Sequence, residues 1–262
     1  MKILITGATS GLAYDTALNL ESRGHTIYLC SHKEKQKANL ENKLASKKLN
    51  IKFYKLDICN ANDLKLLDIL DYDIIWAHAG IGCGGALLAI DNNVIRKNYD
   101  VNVFQTLEVV KRAYQNMEKR KIKGKIFVTS SIAAYLPLDY LGCYTSSKAA
   151  LSQICYTIRK ELRQIRSSIS ITLIEPGAYH TGFNQVMIDN KTKYLEPNNI
   201  FFYQEKNITE KQNKLFGFIE KTTYHDIVKK ITKEMEKPKP TFRIRKPLLQ
   251  KIFIKLYIAL FK

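Results

Sequence analysis

The sequence predicts a doubly wound parallel α/β sheet flanked by helices. Three observations lead there. Short apolar runs rich in β-branched residues recur along the chain, separated by patterns of helical period, as in successive βαβ units. The first run leads straight into a Gly7-x-x-x-Gly11 turn and then a helical pattern. The 262 residues suit one α/β domain, and a hydrophobic content of 45% is enough to fill its core.

Lys2-Ile3-Leu4-Ile5-Thr6 is the first strand, β-branched at three positions. The turn that follows holds Gly7, Thr9, Ser10, Gly11 and Leu12, and the helix after it runs to Gly24. Gly7 allows a tight turn. Gly11 allows a pyrophosphate to approach the helix N-terminus, so this is the opening of a dinucleotide-binding unit. His25 to Cys30 is the second strand, ending in Ser31-His32-Lys33. That end meets an adenosine ribose, where an acid binds the 2′-hydroxyl and a cation accepts a 2′-phosphate. No acid comes before Glu34, and His32 and Lys33 are basic. NADP is therefore expected in preference to NAD. Lys33 also opens a charge-rich helical stretch that reaches Lys48.

Ile51 to Leu56 is the third strand, followed by Asp57-Ile58 and a helix over Asp63–Leu70. Asp73 to Ala77 is the fourth, running into His78-Ala79-Gly80-Ile81-Gly82. The four glycines between 80 and 85 make that edge a flexible loop. Val94 to Met117 is helical with Asn102 inside it. Asparagine is not a strong helix former, so a buried Asn102 would need a specific hydrogen-bonding role.

Lys125 to Thr129 is a buried strand, with Ser131 just beyond its end. A helix is expected from Thr145 to Arg166, with Tyr144 at its start and Lys148 one turn on. Tyr144 and Lys148 are four apart and share a face. A free tyrosine titrates near ~10, and an adjacent ammonium is expected to lower that value. Tyr144 then exchanges a proton with a carbonyl or alcohol oxygen, and Ser131 holds the same oxygen.

Ile169 to Ile174 is the sixth strand, ending in Glu175-Pro176-Gly177-Ala178-Tyr179-His180-Thr181. From 178 to 223 the periodicity fades and aromatic residues are scattered, which suggests a substrate lid. Tyr224 to Met235 is helical, and Thr241 to Arg245 is an edge strand. Residues 1–246 read as a single domain. The stretch Lys237–Lys262 carries six lysines, two arginines and no acid. Within it, 247–262 is a basic amphipathic helix too short to span a bilayer, where roughly 20 apolar residues are needed. Such a helix either lies in a membrane interface or packs on its own domain.

The net charge of +18 favours an anionic partner. The basic residues are dispersed and carry no nucleic-acid motif, so nucleic acid is not expected. Five cysteines, none in a Cys-x-x-Cys pair, read as buried free thiols of a reducing compartment. No signal peptide is visible, so the expected location is cytoplasmic, peripheral at the inner membrane face only in the alternative where 247–262 meets lipid and does not pack on the domain. No metal site is expected.

Taken together and in this order, the motifs resemble the short-chain dehydrogenase/reductase family, over Met1 to about Thr181. Thr6-Gly7-x-x-x-Gly11-Leu12 resembles its cofactor loop, Asp57-Ile58 its adenine contact, and Ala79-Gly80 the end of its Asn-Ala-Gly motif. Asn102, Ser131, Tyr144 and Lys148 fall at the places of its catalytic tetrad, with Ser130 the neighbouring candidate for the serine, and Pro176, Gly177 and Thr181 at the segment beside the nicotinamide. Two positions depart: Ala13 stands for the third glycine and His78 for the asparagine. The resemblance implies a Rossmann-type fold and hydride transfer between NADP(H) and a carbonyl or alcohol. Lys148 would also hold the nicotinamide ribose, and Asn102 would anchor a proton-relaying water. The aromatic lid points to a lipophilic substrate. Association into a homodimer or homotetramer is implied, through helices carrying Val109, Ala113, Leu151, Ile154 and Ile158. A protein that binds the cofactor and senses redox state without turnover is the alternative.

Overall fold

The computed structural model describes residues 1–180, 182–183, 200–204, 207, 209–210, 213–214, 217, 220–250 and 252. Its seven strands are β1 (Lys2–Ile5), β2 (Thr26–Ser31), β3 (Ile51–Lys55), β4 (Ile74–Ala77), β5 (Lys125–Thr129), β6 (Ser170–Pro176) and β7 (Arg243–Lys246). They form one sheet in the order β3-β2-β1-β4-β5-β6-β7, and every neighbouring pair is parallel. The strand order reverses at β1, which lies between β2 and β4, so a crevice opens beyond the carboxyl ends of β1 and β4.

Both faces of the sheet are buried, which is why its strands read as near-continuous apolar runs. On one face Ile3, Ile5, Leu29, Trp76, Phe127 and Ile174 pack against α1 (Gly11–Glu21), through Ala13, Ala17 and Leu20. The His225–Glu236 helix covers the same face through Ile227, Ile231 and Met235. On the other face Leu4, Ile75, Ile126, Val128, Ile171 and Leu173 meet two further helices. These are the Thr106–Lys119 helix, through Val109, Val110 and Ala113, and the Gly142–Gln164 helix, through Leu151 and Cys155. Val109, Ala113 and Leu151 are thus fully used against the sheet and are not a subunit interface. Ile158 packs at the margin of the same core, and Ile154 is half-buried.

Numbered in order after α1, the helices are α2 (Glu34–Leu44), α3 (Ala61–Leu64), α4 (Leu66–Ile69), α5 (Asn92–Tyr99), α6 (Thr106–Lys119), α7 (Gly142–Gln164) and, after a short turn at Ile200–Tyr203, α8 (His225–Glu236). Several boundaries differ from the sequence reading. The single helix expected over Asp63–Leu70 is two short ones, the first capped by Asn60, whose side chain accepts from the Asn62 and Asp63 N–H groups. Lys33 caps α2 from an extended conformation, and α2 ends at Leu44 well before Lys48. The helix α7 starts at Gly142, so Tyr144 lies inside its first turn. The edge strand is β7, one to two residues later than expected. Cys30, Cys83, Cys143 and Cys155 are buried, but Cys59 is exposed in the loop after β3. Most of the lid at 178–223 and of the tail at 247–262 lies outside the described residues, as does Thr181.

Candidate active site

The turn after β1 has the shape a pyrophosphate requires. Gly7 and Gly11 have φ of +68° and +62°, the left-handed region glycine enters without strain. A Cβ on Gly7 would sit 2.8 Å from the Ala79 Cα, so this loop and the end of β4 touch backbone to backbone. Ser10 precedes α1 in an extended conformation and makes no side-chain cap, leaving the first N–H groups of this eleven-residue helix for an anionic ligand. Ala13, in the third glycine's place, is fully buried against the sheet. Leu12 and Ile58 are core residues, so only their backbone is available to a cofactor. These residues fit a dinucleotide.

At the end of β2, His32 and Lys33 are exposed, while the buried Ser31 hydroxyl donates to the Lys33 carbonyl at 3.2 Å. Asp57, beyond β3, accepts from the Cys59 N–H through its carboxylate at 2.9 Å. Its own N–H donates to Asp63 at 2.8 Å.

Asn102 has the role its burial demands. The stretch Asp100–Gln105 between α5 and α6 is a π-helical turn, a widening that recurs at functional sites. It places the fully buried Asn102 amide against the β4 loop. Nδ2 donates to the carbonyl of Ile81 (2.9 Å), to Asn98 (3.2 Å) and to the Ser147 hydroxyl (3.2 Å). Oδ1 accepts the Ile81 N–H at 2.9 Å. Both amide atoms therefore clamp one residue of a glycine-rich loop. A Cβ on Gly80 would lie 3.0 Å from Asn102 Oδ1 and 3.4 Å from Lys148 Nζ, so these two groups converge on its bare face.

Ser131 caps a short 3₁₀ turn, Ile132–Tyr135, and its hydroxyl accepts from the Ala133 N–H at 3.1 Å. The same hydroxyl acts on the Tyr144 phenol, where it favours the ionised form. Ser130 points the other way, bonding the Lys148 carbonyl and Ser152, and so fastens α7 to the end of β5. Ser131 is thus the serine in the site. Burial pushes the Tyr144 phenol up to about 12, with the Ser131 hydroxyl pulling it down. Burial pushes the Lys148 ammonium down to about 8. The lowering of Tyr144 expected from Lys148 does not occur in this state. The ammonium lies 5.9 Å from the Tyr144 ring centroid and donates instead to the Thr129 carbonyl at 3.0 Å. Lost hydration outweighs an attraction at that range.

His78 replaces an amide without disturbing the sheet. Its backbone N–H and that of Ala79 both donate to the Thr6 hydroxyl, at 3.0 and 3.1 Å. Its ring packs edge-on against Trp76 at 4.9 Å. The Thr129 hydroxyl accepts from the Trp76 indole at 2.7 Å and lies 3.0 Å from His78 Nδ1. The Thr129 hydroxyl then donates to Nδ1, which accepts, and the ring proton of neutral His78 sits on Nε2. Burial, helped by Lys148, lowers its pKa to about 4. Thr129, Asn98 and Ser147 all shape this site and have no motif of their own. Their one sequence signal is position: Thr129 just before the serines, Asn98 a turn before Asn102, and Ser147 beside Lys148.

Pro176-Gly177-Ala178 forms the far wall. The chain after β7 leans on it: the Gly177 N–H donates to the Lys246 carbonyl at 2.8 Å, and the Ala178 N–H to the Gln250 side chain at 2.9 Å. A Cβ on Gly177 would come within 2.0 Å of Gln250 Oε1 and 2.7 Å of Pro247 Cδ, so only glycine fits there.

A parallel sheet with an anion-binding turn at its switch point, and with serine, tyrosine and lysine gathered beside it, defines a dinucleotide-dependent oxidoreductase fold. The family model for short chain dehydrogenase matches residues 1–192, and the chain belongs to that family. Among similar proteins, a 3-ketodihydrosphingosine reductase of Bacteroides thetaiotaomicron is 29% identical over 69% of this chain and 65% of its own length. A farnesol dehydrogenase of Aedes aegypti is 29% identical over 68% of this chain and 77% of its own. The solved structure of a short chain dehydrogenase/reductase from Burkholderia phymatum, in complex with NAD, superposes with a TM-score of 0.79 at 19% identity, covering 98% of this chain and 92% of that one. That likeness shows the fold. Among the described residues, no helix is long and apolar enough to cross a membrane, and no cluster of His, Cys, Asp and Glu suits a metal ion.

Proposed function

We propose that this protein reduces the carbonyl group of a lipophilic substrate, with NADPH as the preferred cofactor, and oxidises the matching alcohol in reverse. The observation that carries this is the grouping of Ser131 and the buried Tyr144 beside a buried Lys148 whose ammonium faces the Tyr144 ring. The bound dinucleotide supplies the hydride. Gly7, Gly11 and the first turn of α1 hold its pyrophosphate, Asp57 and the Ile58 backbone its adenine, and Lys148 and the 177–178 backbone its nicotinamide half.

Ser131 donates to the substrate oxygen and fixes it next to Tyr144. A phenol held near pKa 12 is fully protonated at neutral pH, the state a reduction needs. As negative charge develops on the oxygen, Tyr144 passes it the proton. Lys148 favours the resulting phenolate, and Asn102 orders the groups through which the proton is replaced. Lipophilicity is supported by apolar groups at the start of α7, where the exposed Leu87 lies against Gly142 and the Phe201 ring lies 6.3 Å from that of Tyr140. It is also supported by the names of the two relatives, which act on a sphingoid ketone and an isoprenoid alcohol. Exposed Phe104 on the π-turn offers an apolar contact for a second copy. The test is oxidation of NADPH, followed at its absorbance, against a panel of long-chain ketones and aldehydes. Absence of turnover on every member, with NADPH bound, would favour a sensor.

The cofactor preference rests on His32 and Lys33. Ser31→Asp is expected to weaken NADPH by about tenfold or more while sparing NADH, because like charges brought together cost several kcal/mol. Fluorescence titration of both cofactors reads this, and a wild type that already prefers NADH would refute it.

A further inference from the structure

Where β6 and β7 end, one buried carboxylate meets two guanidiniums, of which Arg245 is buried and Arg243 partly exposed. Glu175 is fully buried, and Arg243 and Arg245 both bind it. Arg243 Nε lies 2.7 Å from Oε2 and its Nη2 3.0 Å from Oε1. Arg245 Nε lies 2.7 Å from Oε2. Tyr135 donates its hydroxyl to Oε1 at 2.5 Å, and its ring lies 4.7 Å from the Arg245 guanidinium and 5.0 Å from that of Arg243. One carboxylate thus faces two guanidiniums. The Arg245 side chain is 8% exposed, and its buried Nη2 has no hydrogen-bond partner among the described residues. A buried charged donor left unpaired is costly and rare, and in native proteins it calls for an explanation.

The cluster belongs to the two segments that flank the reaction centre. Tyr135 ends the 3₁₀ turn that Ser131 begins, about 8 Å further along at ~2 Å per residue. Glu175 directly precedes Pro176-Gly177. Leu136, which directly follows Tyr135, and Pro247, which packs on Gly177, are both half-buried.

We infer that Arg245 receives a carboxylate carried by the substrate, several carbon atoms from the carbonyl that Ser131 and Tyr144 hold. The substrate class is then an oxo acid with an apolar body, an amphiphile and not a neutral lipid. This rests on the reductase reading above and adds to it the charge of the substrate. A planar guanidinium with a free N–H suits a carboxylate oxygen, and one monoanion neutralises the excess charge.

The test separates binding from turnover. Octanoate and octanol are titrated against the full chain loaded with NADPH, by calorimetry. Wild type is expected to prefer octanoate by about tenfold or more, the scale of one charge-assisted hydrogen bond. Arg245→Lys keeps a cation for Glu175 but has no Nη2, so the ratio should fall towards one. Arg245→Gln, with Arg243 still on Glu175, should do the same. A wild type that does not distinguish the two ligands, or a preference retained in both variants, would overturn the assignment. Turnover is then compared for octanal and 8-oxooctanoate. Reduction of both at equal kcat/KM leaves the reductase reading intact and removes this one, whereas selectivity for 8-oxooctanoate supports both.

Discussion

Tyr144→Phe is expected to lower kcat for carbonyl reduction by at least about 10²-fold, the typical contribution of a positioned general acid. The substitution keeps the ring, which is buried with Leu141 and packs on Phe183 at 5.6 Å. Only the hydroxyl is lost, the group that Ser131 influences. Cofactor affinity should change little, because the turn at Gly7–Gly11 and the first turn of α1 are untouched. The KM for the carbonyl should rise less than kcat falls, since the lost interaction strengthens as charge develops on the oxygen. Steady-state kinetics together with NADPH titration separate these quantities. Near-normal turnover in the variant would mean that the proton comes from another group, and Ser131 would be next to examine.

Lys148→Met is expected to lose activity and gain stability at neutral pH. The ammonium is nearly fully buried, faces a single carbonyl, and is pushed from its ordinary 10.5 down to about 8. Below pH 8 both the folded and unfolded chains carry the proton, so folding must bury the charge at a cost on the order of 3 kcal/mol. Between pH 8 and 10.5 the unfolded chain binds a proton that the folded chain does not, so this cost is relieved as pH rises. The variant should therefore be more stable than wild type at pH 7, with the gap narrowing by pH 10. Urea denaturation of the two proteins at both pH values measures it. A gap that is absent at pH 7, or that widens with pH, would contradict the account of Lys148 as a charge held against its solvation. Stability given up at a site in this way is the usual trade for a reactive group.

The sheet was legible because its inner strands β1, β2, β4, β5 and β6 are buried on both faces, which writes them into the chain as apolar runs, while β3 showed as an alternating pattern. Asn102 and Ser131 were legible because an amide inside a helix and a hydroxyl at a strand end are locally out of place. The ionisation of Tyr144 was not legible. Spacing places Lys148 one turn away, but only the three-dimensional packing decides whether the ammonium or the loss of water dominates. The pair of arginines on the buried Glu175 was missed for another reason. Arg243 and Arg245 alternate along an edge strand as solvent-facing residues would, and no local pattern reveals that Tyr135, from a distant turn, closes over them. The seventh strand itself was misplaced by one to two residues because an exposed edge relaxes the apolar pattern.

The contact between Trp76 and His78 gives the molecule an optical property. Trp76 is the chain's single tryptophan, wholly buried at the end of β4, beside the loop that carries Ala79 and Gly80. Its emission therefore reports one place, and that place is the crevice. Its edge-on neighbour is an imidazole that stays neutral down to about pH 4, and Lys148 titrates only near 8, so no protonation step should perturb the signal between pH 5 and 7. Across that range, quenching on adding NADPH should trace occupancy alone, with no label attached. A sigmoidal pH dependence of the cofactor-free emission centred near 6.5 would show instead that His78 titrates as a solvated histidine does.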